Sequence, residues 1–411
     1  MANLTVKVAL FLNYIVFAIL LNSVGTVILQ VQNTFGVSEA QASILEAFKD
    51  FSIAIASFLV ASFVARAGYK RTMLFALAFV GVTCLVMPQL PTFWMTKLLF
   101  AVTGIGFALV KVSVFASLGL VTETRKEHVS LMNFLESFFM LGVLSGYFIF
   151  SHFVNDADPS SMDWLRVYYL LALICATAFI LLVFAPLDES SIQPGADVSL
   201  STEFIDMLRL CLKPLVQVFI VSAFLYVLIE QSIMTWLPTF NSRILHLSPS
   251  LAIQMTSILA ASTALGRFIA GIVLRRIRWF NLLVGCLVAA AFLVIVTLPM
   301  ARLSTGQVAV TGWSNAPIAA FLFPLIGLCI APVYPAINSV MLSALPKRQH
   351  APMSGLIVVF SALGGTTGSI ITGNLFQIFG GTTAFYCSLV PISVILVALY
   401  FFKRQTDALA Q

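Results

Sequence analysis

The apolar residues of this chain fall in long runs, and short polar segments separate one run from the next. A run of about 20 apolar residues is long enough to cross the hydrocarbon core of a bilayer as a helix. Backbone N–H and C=O groups in lipid must pair internally, so a spanning segment is either a helix or a strand of a closed barrel. The short alternating segments typical of barrel strands are not seen. The pattern therefore predicts an all-α membrane protein.

We predict twelve transmembrane helices, which differ in length. The two longest of the second half, 316–345 and 351–379, are expected to be tilted or broken. The predicted spans are 8–30, 41–65, 72–90, 94–121, 129–153, 166–186, 214–240, 250–274, 279–300, 316–345, 351–379 and 383–402.

The composition agrees with a membrane protein and argues against other classes. Of the 411 residues, 60% are hydrophobic and only 9% are charged, whereas a soluble domain has about 25% charged residues. The 6 cysteines form no CxxC pair, which argues against disulfides and metal sites. We find no nucleophile–base set of an enzyme and expect no cofactor. The net charge of +6 is explained by basic loops, so no nucleic-acid partner is expected.

Basic residues are distributed unevenly between the two sets of loops. With the N-terminus placed in the cytoplasm, fifteen of the 22 Lys and Arg residues fall in cytoplasmic parts and three in outer loops. Cytoplasmic loops of membrane proteins carry the excess of Lys and Arg. The count predicts that both termini are cytoplasmic. The apolar spans imply that the chain is embedded in a lipid bilayer.

The longest polar stretch divides the chain into two halves of similar layout. We predict an N-terminal six-helix bundle over 1–186, a cytoplasmic linker over 187–213 and a C-terminal six-helix bundle over 214–411. A basic cluster follows the second span of each half. Two parallel six-helix repeats around a binding site near the midplane are typical of secondary transporters.

The loop after the second span carries a recognisable motif. It resembles the loop signature of the major facilitator superfamily, in which a Gly, an Asp-Arg pair and a second Gly with basic residues follow one another. Arg66, Gly68, Lys70 and Arg71 match that signature, while its first Gly and its Asp are replaced by Ala61 and Ala65. The resemblance implies the twelve-helix fold with a partial or different cytoplasmic latch.

A second resemblance is to the fucose permease group (fucose–galactose–hexose–H⁺ symporters) of that superfamily. It rests on the segment 327–340, Gly-Leu-Cys-Ile-Ala-Pro-Val-Tyr-Pro-Ala-Ile-Asn-Ser-Val, and on the segment 224–238 with Tyr226, Glu230 and Trp236. The group has acidic residues on its first and fourth helices. The first predicted span has none, and Leu109 stands at the fourth-helix position. The group's coupling residues and sugar specificity therefore do not carry over.

Charged residues within the predicted spans are the main candidates for chemistry, because each costs at least about 2.5–3.5 kcal/mol at the bilayer centre unless it is paired or wet. Glu46, Lys49 and Asp50 share one region of the second span, as a proton-titrating site or outer gate, or as a self-neutralising ion cluster. Lys111 and Glu136 are expected at similar depths, as a pair that substrate or a proton breaks, or as a permanent structural pair.

The candidate residues are assigned to three roles. Proton coupling is assigned to Asp50, Glu136, Glu46 and Glu230; gating to Lys49, Arg66, Arg71 and Arg267; substrate binding to Lys111, Asn22, Asn133, Tyr226, Gln231, Trp236, Tyr334 and Asn338. For each uncharged residue an ordinary interhelical contact is the alternative. Lys111 also suits an anionic group of the substrate.

Three functional hypotheses follow from the sequence. The first is a proton-coupled transporter of a small polar solute, such as a sugar or sugar derivative, that works by alternating access. The second is a proton-driven exporter of a drug, siderophore or metabolite, and the third is a transporter of an organic anion that uses Lys111. For each we expect a monomer in a bacterial inner membrane.

Overall fold

The computed structural model describes residues 2–120, 125–187, 189, 208–303, 310–346 and 349–409. Their regular secondary structure is helical, and Leu247 and Val310 form one isolated β-bridge. Among the described residues, 11 helices are long and apolar enough to cross a membrane. The prediction of an all-α, multi-pass membrane protein is confirmed, while the cytoplasmic position of the termini stays a prediction.

The first half of the chain forms eight α-helices. They are α1 Ala2–Asn22, α2 Val24–Phe35, α3 Glu39–Ala42, α4 Ile44–Ala67, α5 Tyr69–Val86, α6 Phe93–Leu120, α7 Arg125–His152 and α8 Val167–Phe184. One compact unit comprises Met1–Gly36 and Leu45–Leu200. Within it α1 packs against α6, α7 and α8, and α5 packs against α6 and α8.

The first predicted span is interrupted by a break that we did not predict. Asn22 donates its side-chain amide to the carbonyl of Ala18 at 2.9 Å, and the Ser23 hydroxyl donates to that of Leu20 at 2.7 Å. Polar side chains that bond to the preceding turn compete with the helical ladder and bend helices. The helix therefore ends at Asn22 and restarts at Val24.

The second half of the chain forms the remaining described α-helices. They are α9 Pro214–Arg243, α10 Pro249–Val273, α11 Trp279–Leu303, α12 Ile318–Leu322, α13 Ile326–Ile330, α14 Val333–Ser343, α15 His350–Phe379, α16 Gly381–Tyr386 and α17 Leu389–Leu409. The second compact unit comprises Val37–Ile44, which contains α3, and Ser201–Gln411. The three-part division of the chain into bundle, linker and bundle stays a prediction.

The two long spans of the second half differ in regularity. The span predicted at 316–345 is broken into α12, a 3₁₀ turn at Phe323–Leu325, α13 and α14, in a segment that contains Pro324, Pro332 and Pro335. Proline has no backbone N–H and interrupts the helical ladder. By contrast, α15 is one continuous helix. The last span is also divided, between α16 and α17.

Glycines let α15 approach α9 closely. A Cβ on Gly364 would lie 2.4 Å from the carbonyl oxygen of Phe224, and one on Gly368 would lie 2.4 Å from that of Leu228. No side chain fits at such a separation, so small residues are required where these helices touch. The contact holds the face of α9 that carries Phe224 and Leu228 against α15.

Candidate functional site

The charged residues of α4 form a buried cluster in the first unit. Glu46 is fully buried, and Lys49 and Asp50 are 6% and 8% exposed. The Lys49 ammonium forms a salt bridge with Glu46 and lies 3.5 Å from Asp50 Oδ1. Two carboxylates therefore share one cation. The predicted grouping of these three residues is present, and their role in coupling or gating stays a prediction.

A second polar group of the first unit surrounds Tyr14 of α1. The Tyr14 hydroxyl donates to Glu136 Oε1 of α7 at 3.3 Å, and Tyr14 itself is buried. Glu136 and Lys111 of α6 have exposed side chains. They interact electrostatically, but among the described residues no carboxylate lies at salt-bridge distance from Lys111. The predicted neighbours are brought together without forming a direct ion pair.

Aromatic rings complete the surroundings of Lys111. Its ammonium lies 5.6 Å from the ring centre of Phe107 and 5.9 Å from that of Phe115. Tyr14 packs against Phe139, with ring centres 4.8 Å apart, and Phe107 lies 6.0 Å from Phe139. Sequence analysis missed these rings, because 36 phenylalanines are spread along the chain and most apolar positions in a spanning helix carry no site.

The second unit holds an ion pair between α9 and α10. Arg267 Nη2 donates to Glu230 Oε1 at 3.2 Å, and the Tyr226 hydroxyl donates to the same oxygen at 2.8 Å. The side chains of Arg267 and Glu230 are 43% and 13% exposed. We assigned Arg267 to gating and Glu230 to coupling separately, and the structure shows that they act on each other directly.

Stacked tyrosines extend this network to α14 and α15. The rings of Tyr226 and Tyr334 lie 5.4 Å apart at an interplanar angle of 19°. The Tyr334 hydroxyl is 2.7 Å from the Ser361 hydroxyl of α15, and it also interacts with the Asn338 side chain. Four helices of the second unit therefore converge on one polar site, which we call the Glu230 network: Arg267, Glu230, Tyr226, Tyr334, Asn338 and Ser361.

Trp236, Gln231 and Asn22 lie outside these groups. Trp236 is fully buried, donates its indole N–H to the carbonyl of Ser369 at 3.0 Å and packs against Phe376. These contacts join α9 to α15. Gln231 is half-buried, and the Asn22 side chain donates to the Ala18 carbonyl of its own helix. The substrate-binding role of the three residues stays a prediction.

The start of α5, directly after the loop that follows α4, forms hydrogen bonds within the first unit to Glu189 and to the end of α8. The Lys70 backbone N–H donates to Glu189 Oε1 at 2.6 Å. The Lys70 ammonium donates to the carbonyls of Val183 and Ala185, at 3.0 and 2.7 Å, at the end of α8. The Arg71 side chain is exposed. The side chains of Arg66 and Asn133, which we predicted as gating and binding residues, lie outside the described residues.

Gly68 of this loop is required by its conformation. Its φ of 88° is a left-handed backbone conformation that L side chains rarely adopt. A Cβ at this position would also lie 2.7 Å from Glu189 Oε2. The basic loop motif found in the sequence therefore has a structural partner at Glu189.

In the described part of the chain, no group of three or more His, Cys, Asp or Glu residues is arranged to hold a metal ion. The polar sites of both units are built instead from one or two carboxylates with a nearby cation, and two of them include phenol hydroxyls.

Comparison with known proteins places this architecture in a family. The sequence matches the Major Facilitator Superfamily over residues 9–310, and no curated protein sequence matches it significantly. Among solved structures it resembles a bacterial homolog of the human lysosomal transporter Spinster, with a TM-score of 0.76, 14% identity and coverage of 97% of this chain and 96% of that one. The nucleoside transporter NupG has a TM-score of 0.73 and 15% identity, with 98% of both chains covered.

The structure also resembles the transporter FucP in its outward conformation, with a TM-score of 0.61, 12% identity and coverage of 98% of this chain and 99% of that one. The resemblance to the superfamily that the loop motif carried is confirmed. At these identities the likeness to each solved structure shows the fold alone.

Proposed function

The chain belongs to the Major Facilitator Superfamily, and on this premise we propose that it couples the movement of a small polar solute to a proton gradient. Membership of the family makes it a transporter rather than an enzyme. The proposed mechanism is alternating access, in which a binding site opens to one side of the membrane at a time.

The observation that carries the proposal is the Glu230–Arg267 pair. Glu230 is a carboxylate in a helix apolar enough to cross the membrane, and it is held by Arg267 and Tyr226. Protonation cancels its charge and with it the attraction to Arg267. The Glu230 side chain is only 13% exposed, and breaking a partly buried ion pair leaves the remaining charge without its counter-ion. Proton binding therefore favours a rearrangement of α9 against α10, and this is the coupling step we assign to Glu230.

The Glu230 network supports a polar solute as cargo. Tyr334 is partly exposed and stacks on the buried Tyr226, while Asn338, Ser361 and Arg267 supply hydrogen-bonding groups beside it. Ligand sites commonly combine an apolar wall with a few placed polar groups. A sugar or sugar derivative suits this arrangement, and it is the substrate class we propose for this site.

A second candidate cargo, an organic anion, is favoured by Lys111. Its exposed ammonium has aromatic neighbours and no carboxylate at salt-bridge distance among the described residues. Proton-driven export of a drug, siderophore or metabolite remains the alternative direction, since the same coupling group serves it. We also propose a monomer in a bacterial inner membrane with both termini cytoplasmic. The distribution of basic residues supports the last of these, the position of the termini.

Transport by purified protein in proteoliposomes tests the proposal. Counterflow of labelled sugars, sugar acids and carboxylates identifies a substrate, and accumulation driven by a pH gradient then measures coupling. We expect Glu230→Gln to retain counterflow and to lose gradient-driven accumulation. Asp407→Asn, which changes an exposed carboxylate at the end of α17, should behave as the wild type.

Two results would contradict the proposal. Gradient-driven accumulation by Glu230→Gln equal to that of the wild type would remove Glu230 from the coupling step. Absence of counterflow with every compound of the panel, together with proton-driven extrusion of an apolar dye from vesicles, would establish the exporter instead.

A further inference from the structure

The surroundings of Lys111 in the first unit have a composition that differs from the Glu230 network. We propose that they bind an aromatic monocarboxylate, with the carboxylate on Lys111 and the ring against phenylalanines. The Lys111 pocket is defined here as Lys111, Phe107, Phe115, Phe139, Tyr14 and Glu136. This inference rests on the proposed transport function and specifies the chemical class of its second candidate cargo, the organic anion.

The charge of Lys111 has no direct ion-pair partner among the described side chains. An ammonium within a membrane-spanning helix is costly unless it is paired or faces water. Its contacts with Phe107 and Phe115, at 5.6 and 5.9 Å, offset part of that cost. Glu136 acts on it only at a distance. A carboxylate at hydrogen-bonding distance would supply the interaction that the described side chains do not.

The walls of the pocket select the body of the ligand. Tyr14 lies 4.8 Å from Phe139, 5.9 Å from Phe115 and 6.2 Å from Phe107, measured between ring centres. Tyr14 and Phe107 are buried, whereas Phe115 and Phe139 are partly exposed. Aromatic rings prefer tilted or offset neighbours at about 4.5–7 Å, so a flat ligand ring would pack against Phe115 and Phe139. Within this group only Lys111, Glu136 and Tyr14 can hydrogen bond, so several hydroxyls of a polyol would lack partners against the phenylalanines, and an unpaired buried hydroxyl is costly. The pocket therefore favours an aromatic body over a polyol.

Glu136 sets the charge of the ligand. Its carboxylate is oriented by the hydroxyl of Tyr14 at 3.3 Å and stands close enough to Lys111 to interact with it. One anionic group on the ligand meets Lys111, while a second would meet Glu136 and be repelled. The geometry therefore selects a monocarboxylate over a dicarboxylate.

Calorimetry on the purified protein in lipid nanodiscs tests the inference. The titrants are phenylacetate, indole-3-acetate and 2-naphthoate, with phenylethanol, acetate and glucuronate as comparison compounds. We expect at least one aromatic monocarboxylate to bind at least ten-fold more tightly than every comparison compound. Lys111→Gln should weaken that binding ten-fold or more, and Lys111→Arg should retain most of it.

The chain offers a matched control on the same helix. Lys97 of α6 also lies over aromatic rings, 4.5 Å from Phe93 and 5.8 Å from Trp94, and we expect Lys97→Gln to leave binding unchanged. An unaltered thermal unfolding midpoint of Lys111→Gln shows that its loss of binding is not loss of fold. Failure of all three aromatic acids to bind, or binding that Lys111→Gln leaves unchanged, overturns the inference.

Measuring ligand binding and proton-driven accumulation on the same purified protein distinguishes this inference from the proposed function. Binding of an aromatic monocarboxylate that depends on Lys111, without proton-driven accumulation, supports the pocket and contradicts coupling. Proton-driven accumulation of a sugar, without binding of any aromatic monocarboxylate, supports coupling and overturns the pocket.

Discussion

The two units differ in how their intramembrane charges are paired and buried. In the first, Glu46, Lys49 and Asp50 lie on one helix and are almost completely buried. In the second, Glu230 and Arg267 lie on two helices, and 43% of the Arg267 side chain is exposed. A buried cluster on one helix is held by its own helix, whereas a pair between helices changes when the helices move. The comparison suggests a structural cluster in α4 and a switch between α9 and α10.

The largest effect is expected from removing the cation of the α4 cluster. Lys49→Met removes the cation that Glu46 and Asp50 share, and breaking a buried pair costs about 3–5 kcal/mol. We expect the variant to lose most of its folded yield, measured by size-exclusion chromatography of the detergent-solubilised protein.

The uncharged triple variant Glu46→Gln, Lys49→Gln, Asp50→Asn separates structure from coupling. It removes all three charges together, so a structural cluster predicts recovered yield and proton-driven transport close to that of the wild type. Recovered yield with proton-driven transport abolished would break the comparison and place coupling in α4 as well.

A smaller loss is expected where α6 supports the cluster. A Cβ on Gly104 would lie 2.5 Å from the carbonyl oxygen of Lys49 and 2.9 Å from Ser52 Cβ. Gly104→Ala must push α4 and α6 apart, and overpacking of this kind costs about 1–3 kcal/mol. The thermal unfolding midpoint should fall.

Gly285 of α11 provides the control for this substitution. A Cβ there meets nothing within 4 Å, so Gly285→Ala should be neutral or slightly stabilising, because alanine is the better helix former. Equal midpoints for both alanine variants would show that α4 and α6 do not require this close approach.

The sequence predicted the spans and the grouping of Glu46, Lys49 and Asp50, but not the hydrogen bonds and ion pairs between different helices. Hydrophobic runs mark helices because lipid imposes their length, and isolated charges stand out against them. By contrast, the contact of Arg267 with Glu230 joins residues 37 positions apart, and that of Tyr14 with Glu136 joins residues 122 apart. Only packing of the helices determines such pairs. The break at Ser23 was missed for another reason. The sequence alone does not show whether a serine within an apolar run bonds to its own backbone, as Ser23 does here.

Tyr226 provides a milder way to sharpen the comparison. Its hydroxyl donates to the charged acceptor Glu230 at 2.8 Å, and a hydrogen bond to a charged group contributes about 1.5–3 kcal/mol. We expect Tyr226→Phe to lower the rate of proton-driven uptake about ten-fold, which corresponds to about 1.4 kcal/mol. Counterflow, which needs no proton step, should fall less.

Tyr400→Phe is the matched control for Tyr226→Phe, since Tyr400 is exposed on α17. It should transport as the wild type does. An equal reduction of counterflow and proton-driven uptake by Tyr226→Phe would mean that the hydroxyl serves substrate binding rather than the coupling carboxylate.

The smallest effect on stability is expected at the Lys70–Glu189 contact. There the Glu189 carboxylate and the Lys70 ammonium each interact with a helix end and do not form an ion pair with each other. Glu189 accepts from the first turn of α5, and Lys70 donates to the last carbonyls of α8; both arrangements match the helix dipoles. Glu189→Ala should cost about 1 kcal/mol and lower the thermal midpoint by a few degrees. Glu189→Gln keeps the acceptor and should lose less.

The salt dependence of the thermal unfolding midpoint distinguishes this contact from the buried charges of α4. Exposed electrostatic interactions are screened at high ionic strength, whereas buried pairs are screened much less. The difference in thermal midpoint between wild type and Glu189→Gln should therefore shrink in 1 M salt, while the defect of Lys49→Met should persist. A Glu189 effect that salt leaves unchanged would mean that this contact is as sheltered as the α4 cluster, and would contradict its assignment to the helix ends alone.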